Sequence, residues 1–239
     1  EVIHGDGTLY RFSTNGKRSD TSGWYVLHDD GDMAAGAFGC WRAGVSHTWC
    51  SKDVNRLTPT QRSAHQQRMQ AIAQQRDADK AQRQQDAAGA AAKRWEAAPP
   101  APADHPYLAK KGVQAHGARV DADGYLILPM RDTTGKLWNI ERINPADSKD
   151  KKGLYGGRRS GCYFAIGKPQ GVLIVCEGFA TGASIHEATH HAVAVTFTAG
   201  NLLQVAQALH SKYPKLRLIL AADDDAFTDG NPGITKATE

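Results

Sequence analysis

Three apolar runs near the carboxyl end of the chain constrain the fold more than any other feature: "VLIVCE" (172–177), "AVAVTF" (192–197) and "LRLILAAD" (216–223). Each is almost continuous Val, Ile, Leu and Ala rather than alternating with polar residues. The stretches between them, "GFATGASIHEATHHA" and "NLLQVAQALHSKY", have helical composition. A strand that is apolar on both sides must be covered on both sides, and short strands alternating with helices specify a parallel sheet between helical layers. In such sheets the working crevice lies beyond the carboxyl ends of the strands. Two of the three runs end there on acids: Glu177, followed at once by Gly178, and the triplet Asp223, Asp224 and Asp225.

An unpaired buried carboxylate is costly, so these acids belong at the rim of the core, facing a partner. If the first and third strands are neighbours, Glu177 and the aspartates converge. In extended chain Asp223 and Asp225 point the same way. Carboxylates gathered in one place repel one another, and a hard divalent cation, Mg2+ or Mn2+, is the simplest compensation. Two such ions about 4 Å apart would clamp the attacking and leaving oxygens of a phosphoryl transfer. The plain alternative is that Glu177 favours the helix N-terminus after it and the aspartates form a solvated turn. Either motif alone fits that alternative; both together, at the ends of consecutive strands, favour the metal site.

The chain ahead of this α/β region divides into three parts. Residues 1–56 carry strand-like stretches, "GTLYRFS", "GWYVLHD" and "MAAGAFGCW", separated by turn residues, and read as a small β-rich module. Its aromatics are of a kind that stacks on bases, but Trp24, Trp41 and Trp49 are expected in its core. Residues 57–103 read as a long polar helix with a Pro/Ala linker: Thr58 and Gln61 make a capping box, Pro59 suits the first helical position, and "PPAPADHP" ends it. With Met69, Ile72 and Trp95 as its only large apolar residues, this helix is expected to be a solvated spacer of roughly 50–60 Å.

Residues 104–170 read as a compact α+β unit with a short helix ("HPYLAKKGV") and two strands ("GYLILPM", "KLWNIERI") joined by a turn. The stretch 104–168 holds twelve Lys/Arg against seven Asp/Glu. Arg142, Lys149, Lys151, Lys152, Arg158 and Arg159 fall within eighteen positions, and two glycines precede the Arg pair. Backbone N–H groups and guanidinium forks in such a loop can approach phosphates closely; a solvated charged loop is the alternative.

Net charge is +4, no run is long enough to span a bilayer, and no signal peptide opens the chain. The four cysteines are scattered without a CxxC pair, which fits a reducing, cytoplasmic setting. Cys40, His47 and Cys50 match no familiar zinc spacing, so zinc is not expected. The absence of an initiator Met, and an ending on "GITKATE", a helix-like first turn, suggest a piece of something larger.

"VLIVCEG", "FTAGNL" and "LILAADDDA" resemble a Toprim domain, the metal-dependent catalytic fold of bacterial-type primases, type IA and II topoisomerases and some nucleases. The Glu-Gly and Asp-x-Asp of that family fall on Glu177, Gly178, Asp223 and Asp225. The resemblance implies that Glu177 acts as metal ligand or general base and that Asp223 and Asp225 hold Mg2+ or Mn2+. The 104–170 region resembles the basic subdomain of plasmid- and phage-type primases, which tracks single-stranded template and initiating nucleotides. "GAFGCWRAGVSHTW" is similar to the amino-terminal module of plasmid and mobile-element members. The family's fold continues past the Asp pair with a further helix and strand.

The implied fold class is therefore α/β: a Toprim domain (171–239, βαβαβ) preceded by an α+β basic subdomain, a long helix and a β-rich module. The implied activity is DNA-primase synthesis of RNA primers for plasmid or mobile-element replication. Single-stranded DNA template and ribonucleoside triphosphates are the expected partners, a replicative helicase a further one, and no membrane. Arg142, Lys149, Lys151, Lys152, Arg158, Arg159, Gly178 and Asn201 are the expected nucleic-acid or nucleotide contacts. A metal-dependent nuclease or phosphoesterase remains open, as does a non-catalytic single-strand-binding fragment. A topoisomerase lacks a further domain for its tyrosine, and a dehalogenase-like phosphatase lacks downstream catalytic groups.

Overall fold

A computed structural model describes residues 2–18, 20–29, 33–53, 55, 57–224 and 230–238. The chain divides into two compact units, Glu1–Ala81 and Gln82–Glu239.

The first unit is an antiparallel meander of β1 (Tyr10–Phe12), β2 (Gly23–His28), β3 (Ala35–Cys40) and β4 (Val45–Cys50), in that order across the sheet. Trp24, Val26 and Ala37 form its core with Ile72 and Met69, from the opening turns of α1 (Pro59–Ala97). Of the three tryptophans expected inside, only Trp24 is buried, at 1% exposed; Trp41 and Trp49 are 40% and 49% exposed. Period-two register explains Trp49, which pairs across from Gly36 on the sheet face opposite Trp24, while Trp41, just past β3, lies beside the Trp24 ring with centroids 5.5 Å apart. Gly39 is required by the same packing, since a Cβ there would meet the Trp24 ring at 2.8 Å.

Helix α1 begins with the expected capping box: the Thr58 N–H donates to Gln61 Oε1 at 3.1 Å and the Gln61 N–H to Thr58 Oγ1 at 3.3 Å. Its 39 residues extend about 58 Å at 1.5 Å per residue. It is not a solvated spacer. In the second unit Ala87, Ala88 and Ala91 are buried, and Ala91 shares a core with Ala98, Ile127 and Ile140, with Trp95 packed alongside. Alanine carries little hydrophobic signal, yet its short side chain lets a helix backbone lie close against a sheet.

That sheet is antiparallel, ordered β5 (Arg119–Val120), β6 (Leu126–Arg131), β7 (Leu137–Ile143), β8 (Lys151–Gly153), and follows the short α2 (Pro106–Lys111). One face packs on α1 through Ile127 and Ile140. The other, through Leu126, Leu128 and Ile143, joins a core with Phe164, Ile174, Cys176, Phe179 and Val195 of the following sheet.

The carboxyl-terminal sheet contains β9 (Phe164–Ile166), β10 (Val172–Cys176), β11 (Ala192–Val195) and β12 (Arg217–Ala221), in the order β12-β10-β11-β9. β10 runs parallel to both neighbours, while β9 adds an antiparallel edge. The three sequence-expected strands are thus the three parallel ones, and the first and third are direct neighbours. Helix α3 (Phe179–Thr189) covers one face and α4 (Leu202–Lys212), entered through a 3-10 turn at Ala199–Asn201, covers the other. Helix α5 (Pro232–Thr238) includes most of the "GITKATE" segment. Among the described residues no helix is long and apolar enough to cross a membrane.

Candidate active site

Strand register sets the site. Cys176 on β10 pairs with Ala221 on β12, and both strands run the same way. Glu177 is therefore the first residue beyond its strand, and Asp223 the second beyond the neighbouring one, at the same sheet edge. The Glu177 carbonyl accepts the Phe197 N–H at 2.9 Å, which ties the end of β11 to the same edge. Gly178 is the N-cap of α3, in extended conformation (φ −92°, ψ 144°) and without a capping side chain.

Both carboxylates register on the thiol between the strands. Cys176 is pushed up to about 12, chiefly by burial and further by the charges of Asp223 and Glu177. It stays a thiol at neutral pH and offers no thiolate, so the donors at this edge are carboxylate oxygens. Such a set fits a hard divalent cation. Asp224 is exposed and its carboxylate accepts from Asn231 at 2.8 Å. Asp225 lies outside the described residues, and among those described no group of three metal-ligating side chains is assembled.

The sequence-derived cations divide into two kinds. Arg142 is held by Asp121 at 2.5 Å and Asp123 at 2.7 Å and lies 4.2 Å over the Tyr125 ring. Lys152 pairs with Asp150 at 2.7 Å. Lys149 and Lys151 are exposed. Arg158 stacks 4.9 Å over Trp138, and its Nε donates to the Ser160 carbonyl at 3.0 Å. Arg159 lies against Gly153 on β8, where an added Cβ would meet its Nη2 at 2.6 Å.

Asn201 is 5% exposed. Its Oδ1 accepts the Gly161 N–H at 2.8 Å, and its Nδ2 donates to the Cys162 and Thr196 carbonyls at 2.9 and 3.0 Å. All three bonds are internal, and they fasten the segment after the Arg pair to the end of β11.

Sequence reasoning missed Glu141. It is 4% exposed, on the β7 face directed toward the carboxyl-terminal sheet. Burial raises its pKa, Lys151 and Arg159 oppose the rise, and the Glu177 charge adds to it. The signal was available: Glu141 alternates onto the same face of β7 as Ile143, opposite Leu128 and Leu126 of β6, and a carboxylate among those apolar residues is anomalous.

The second unit thus combines an apolar parallel sheet bearing acids at its carboxyl edge with a basic, glycine-punctuated loop. Residues 172–239 match the Toprim domain family. Over nearly the whole chain, two Escherichia coli proteins described as "DNA primase TraC" are similar. One is 35% identical over 98% of this chain and 23% of its own length; the other is 34% identical over 97% and 17%. The chain thus spans less than a quarter of either relative. The resemblance to Toprim-domain primases of the plasmid type is borne out by these matches. A solved structure, "Structure of the DnaG primase catalytic domain bound to ssDNA", matches 61% of this chain and 48% of its own at 14% identity, with a TM-score of 0.32.

Proposed function

We propose that the chain is the catalytic portion of a DNA primase, joining ribonucleotides on a single-stranded DNA template. The observation that carries this reading is the register of β10 and β12, which puts Glu177 and Asp223 at one sheet edge in a chain similar to plasmid-type primases. Glu177 and Asp223, with Asp225 as the expected third, would hold Mg2+ or Mn2+. The bound cation would lower the pKa of the attacking hydroxyl and neutralise charge on the transferring phosphate. Glu177 would serve either as a ligand of that cation or as the base that accepts the proton of the attacking 3′-hydroxyl. Gly178 leaves the amide end of α3 open to a phosphate, since no side chain covers it.

The cations take separate parts in this reading. Lys149, Lys151, Arg158 and Arg159 present charge to template backbone or nucleotide phosphates. Arg142 and Lys152 are drawn to neighbouring carboxylates, so they shape the basic surface more than they bind. Asn201 supports the loop from beneath. A plasmid or mobile-element role, with a replicative helicase as a further partner, belongs to the same proposal.

The test is primer synthesis on single-stranded DNA with NTPs and Mg2+ or Mn2+, comparing the parent chain with Glu177→Gln. Loss of a proton acceptor costs about 10²–10⁴-fold, so the variant should be inactive while its melting temperature stays put. Undiminished synthesis by Glu177→Gln would end this reading. Cleavage of the labelled strand without extension would replace it with a hydrolytic one, and salt-sensitive binding without metal dependence with a binding role.

A further inference from the structure

Glu141 is a buried acid that the proposed reaction does not use. On β7 it stands opposite Leu128 of β6 and Gly153 of β8. Its neighbours on that face, Leu128 and Ile143, belong to the core shared with Cys176 and Phe179, the residues on either side of Glu177 and Gly178. Glu141 thus lies where the apolar layer between the two sheets opens toward the acidic edge. A lone carboxylate there would be costly and would repel an incoming polyphosphate.

Two cations, Lys151 and Arg159, offset the charge, and Arg159 is the one that forms an ion pair with it. Arg159 Nη1 lies 3.9 Å from Glu141 Oε1, with the two side chains 36% and 5% exposed. The guanidinium reaches that position across Gly153, the residue directly opposite Glu141. Any side chain at 153 would displace it. At that distance the pair is ionic rather than hydrogen-bonded, and with 36% of its side chain exposed the guanidinium keeps donors accessible to solvent. The loop that carries it is fastened on its far side by Asn201.

We propose that Glu141 is a positioning residue: it holds Arg159 across Gly153 so that the outward donors of the guanidinium meet the phosphates of a nucleoside triphosphate at the Glu177–Asp223 edge. The identity of that ligand rests on the primase reading; the Glu141–Arg159 coupling does not. Arginine held in this way recognises phosphate by geometry as well as charge.

The test uses the full chain with Glu141→Ala, Arg159→Ala, the double variant and Glu141→Gln. Primer synthesis is measured against NTP concentration, and binding of inorganic triphosphate is measured directly by calorimetry. Loss of one charge-assisted contact should raise the NTP KM and the triphosphate Kd about tenfold or more in each alanine variant. The turnover number should change far less, and the double variant should be no worse than Arg159→Ala alone. Glu141→Gln keeps the volume and polarity of the side chain without its charge, and should show the same rise, because at 3.9 Å the attraction is ionic. Unchanged KM and Kd in Glu141→Ala, or strictly additive effects in the double variant, would overturn the proposal and leave the primase reading standing. Triphosphate binding that depends on Glu141 in a chain that makes no primer would uphold the positioning role and remove the polymerase. A parent chain that binds no triphosphate would remove both. A drop in melting temperature without a shift in Kd marks a purely structural ion pair and also overturns the proposal.

Discussion

Asn201→Ala asks whether one side chain fixes the basic loop to the Toprim sheet. The substitution removes three bonds at 2.8, 2.9 and 3.0 Å, to Gly161, Cys162 and Thr196. Cys162 and Thr196 are themselves buried, so their freed carbonyls have no water to turn to, whereas partly exposed Gly161 does. An unpaired buried group costs about 1–3 kcal/mol. Two buried carbonyls and one partly rehydrated N–H therefore come to about 3–4 kcal/mol. At roughly 2–4 °C per kcal/mol for a domain of this size, the melting temperature should fall by about 10 °C. Thermal and urea unfolding followed by circular dichroism measure the loss, and limited trypsin digestion reports on the loop itself. Cleavage after Arg158 and Arg159 should accelerate under conditions where the rest of the unit stays folded. A fall of less than about 3 °C with unchanged cleavage would refute the tethering role, because it would mean the three groups find other partners.

Gly182→Ala tests the fit of α3 on the sheet. A methyl there would meet Val195 Cγ2 at 2.8 Å, Cys176 Sγ at 3.0 Å and Val193 Cγ1 at 3.2 Å. Overpacking of about 1–3 kcal/mol should outweigh the roughly 1 kcal/mol gained in helix propensity, and a urea midpoint no lower than that of the parent chain would contradict it. Glu187 accepts the Gln114 N–H at 2.9 Å and contacts His116 Nε2 at 2.6 Å, and those bonds, the backbone one first, hold its carboxyl below the ordinary value of 4.5. The folded chain binds that proton less tightly than the unfolded chain. The stabilisation is therefore complete above about pH 4.5 and lost as pH falls through the lowered folded value. Glu187→Gln should reduce stability at pH 7 and converge with the parent chain in acid; a pH-independent difference would mean the carboxylate charge contributes nothing.

The Toprim sheet was legible because its signal is redundant. Continuous apolar strands and helices of fitting length all specify a covered parallel sheet; the neighbourhood of the first and third strands was a condition in the sequence, and the pairing of β10 with β12 meets it. The amino-terminal unit was legible as β structure but not as a core. Trp24, Trp41 and Trp49 look equivalent in composition; the register across β2, β3 and β4 puts Trp24 and Trp49 on opposite faces, while Trp41, one residue past β3, lies beside the Trp24 ring with centroids 5.5 Å apart. Helix α1 misled for a related reason: alanines count as filler in sequence, yet Ala91 is wholly buried and Ala87 and Ala88 nearly so.

Within the candidate site, the acids announced themselves by position, while the cations did so only by number. Six basic residues in a glycine-rich stretch look interchangeable, and the surrounding carboxylates differentiate them. Asp121 and Asp123 claim Arg142, and Asp150 claims Lys152. Glu141, 5% exposed at its side chain where Asp150 is 24% exposed, pairs with Arg159. Exposed ion pairs exchange freely with water and hold a side chain weakly. A partner that is nearly buried cannot exchange, so it fixes direction. That is why the informative residue in this loop is an acid on the adjacent strand rather than any of the cations. It is also why a count of positive charge, however high, does not identify which guanidinium meets a phosphate.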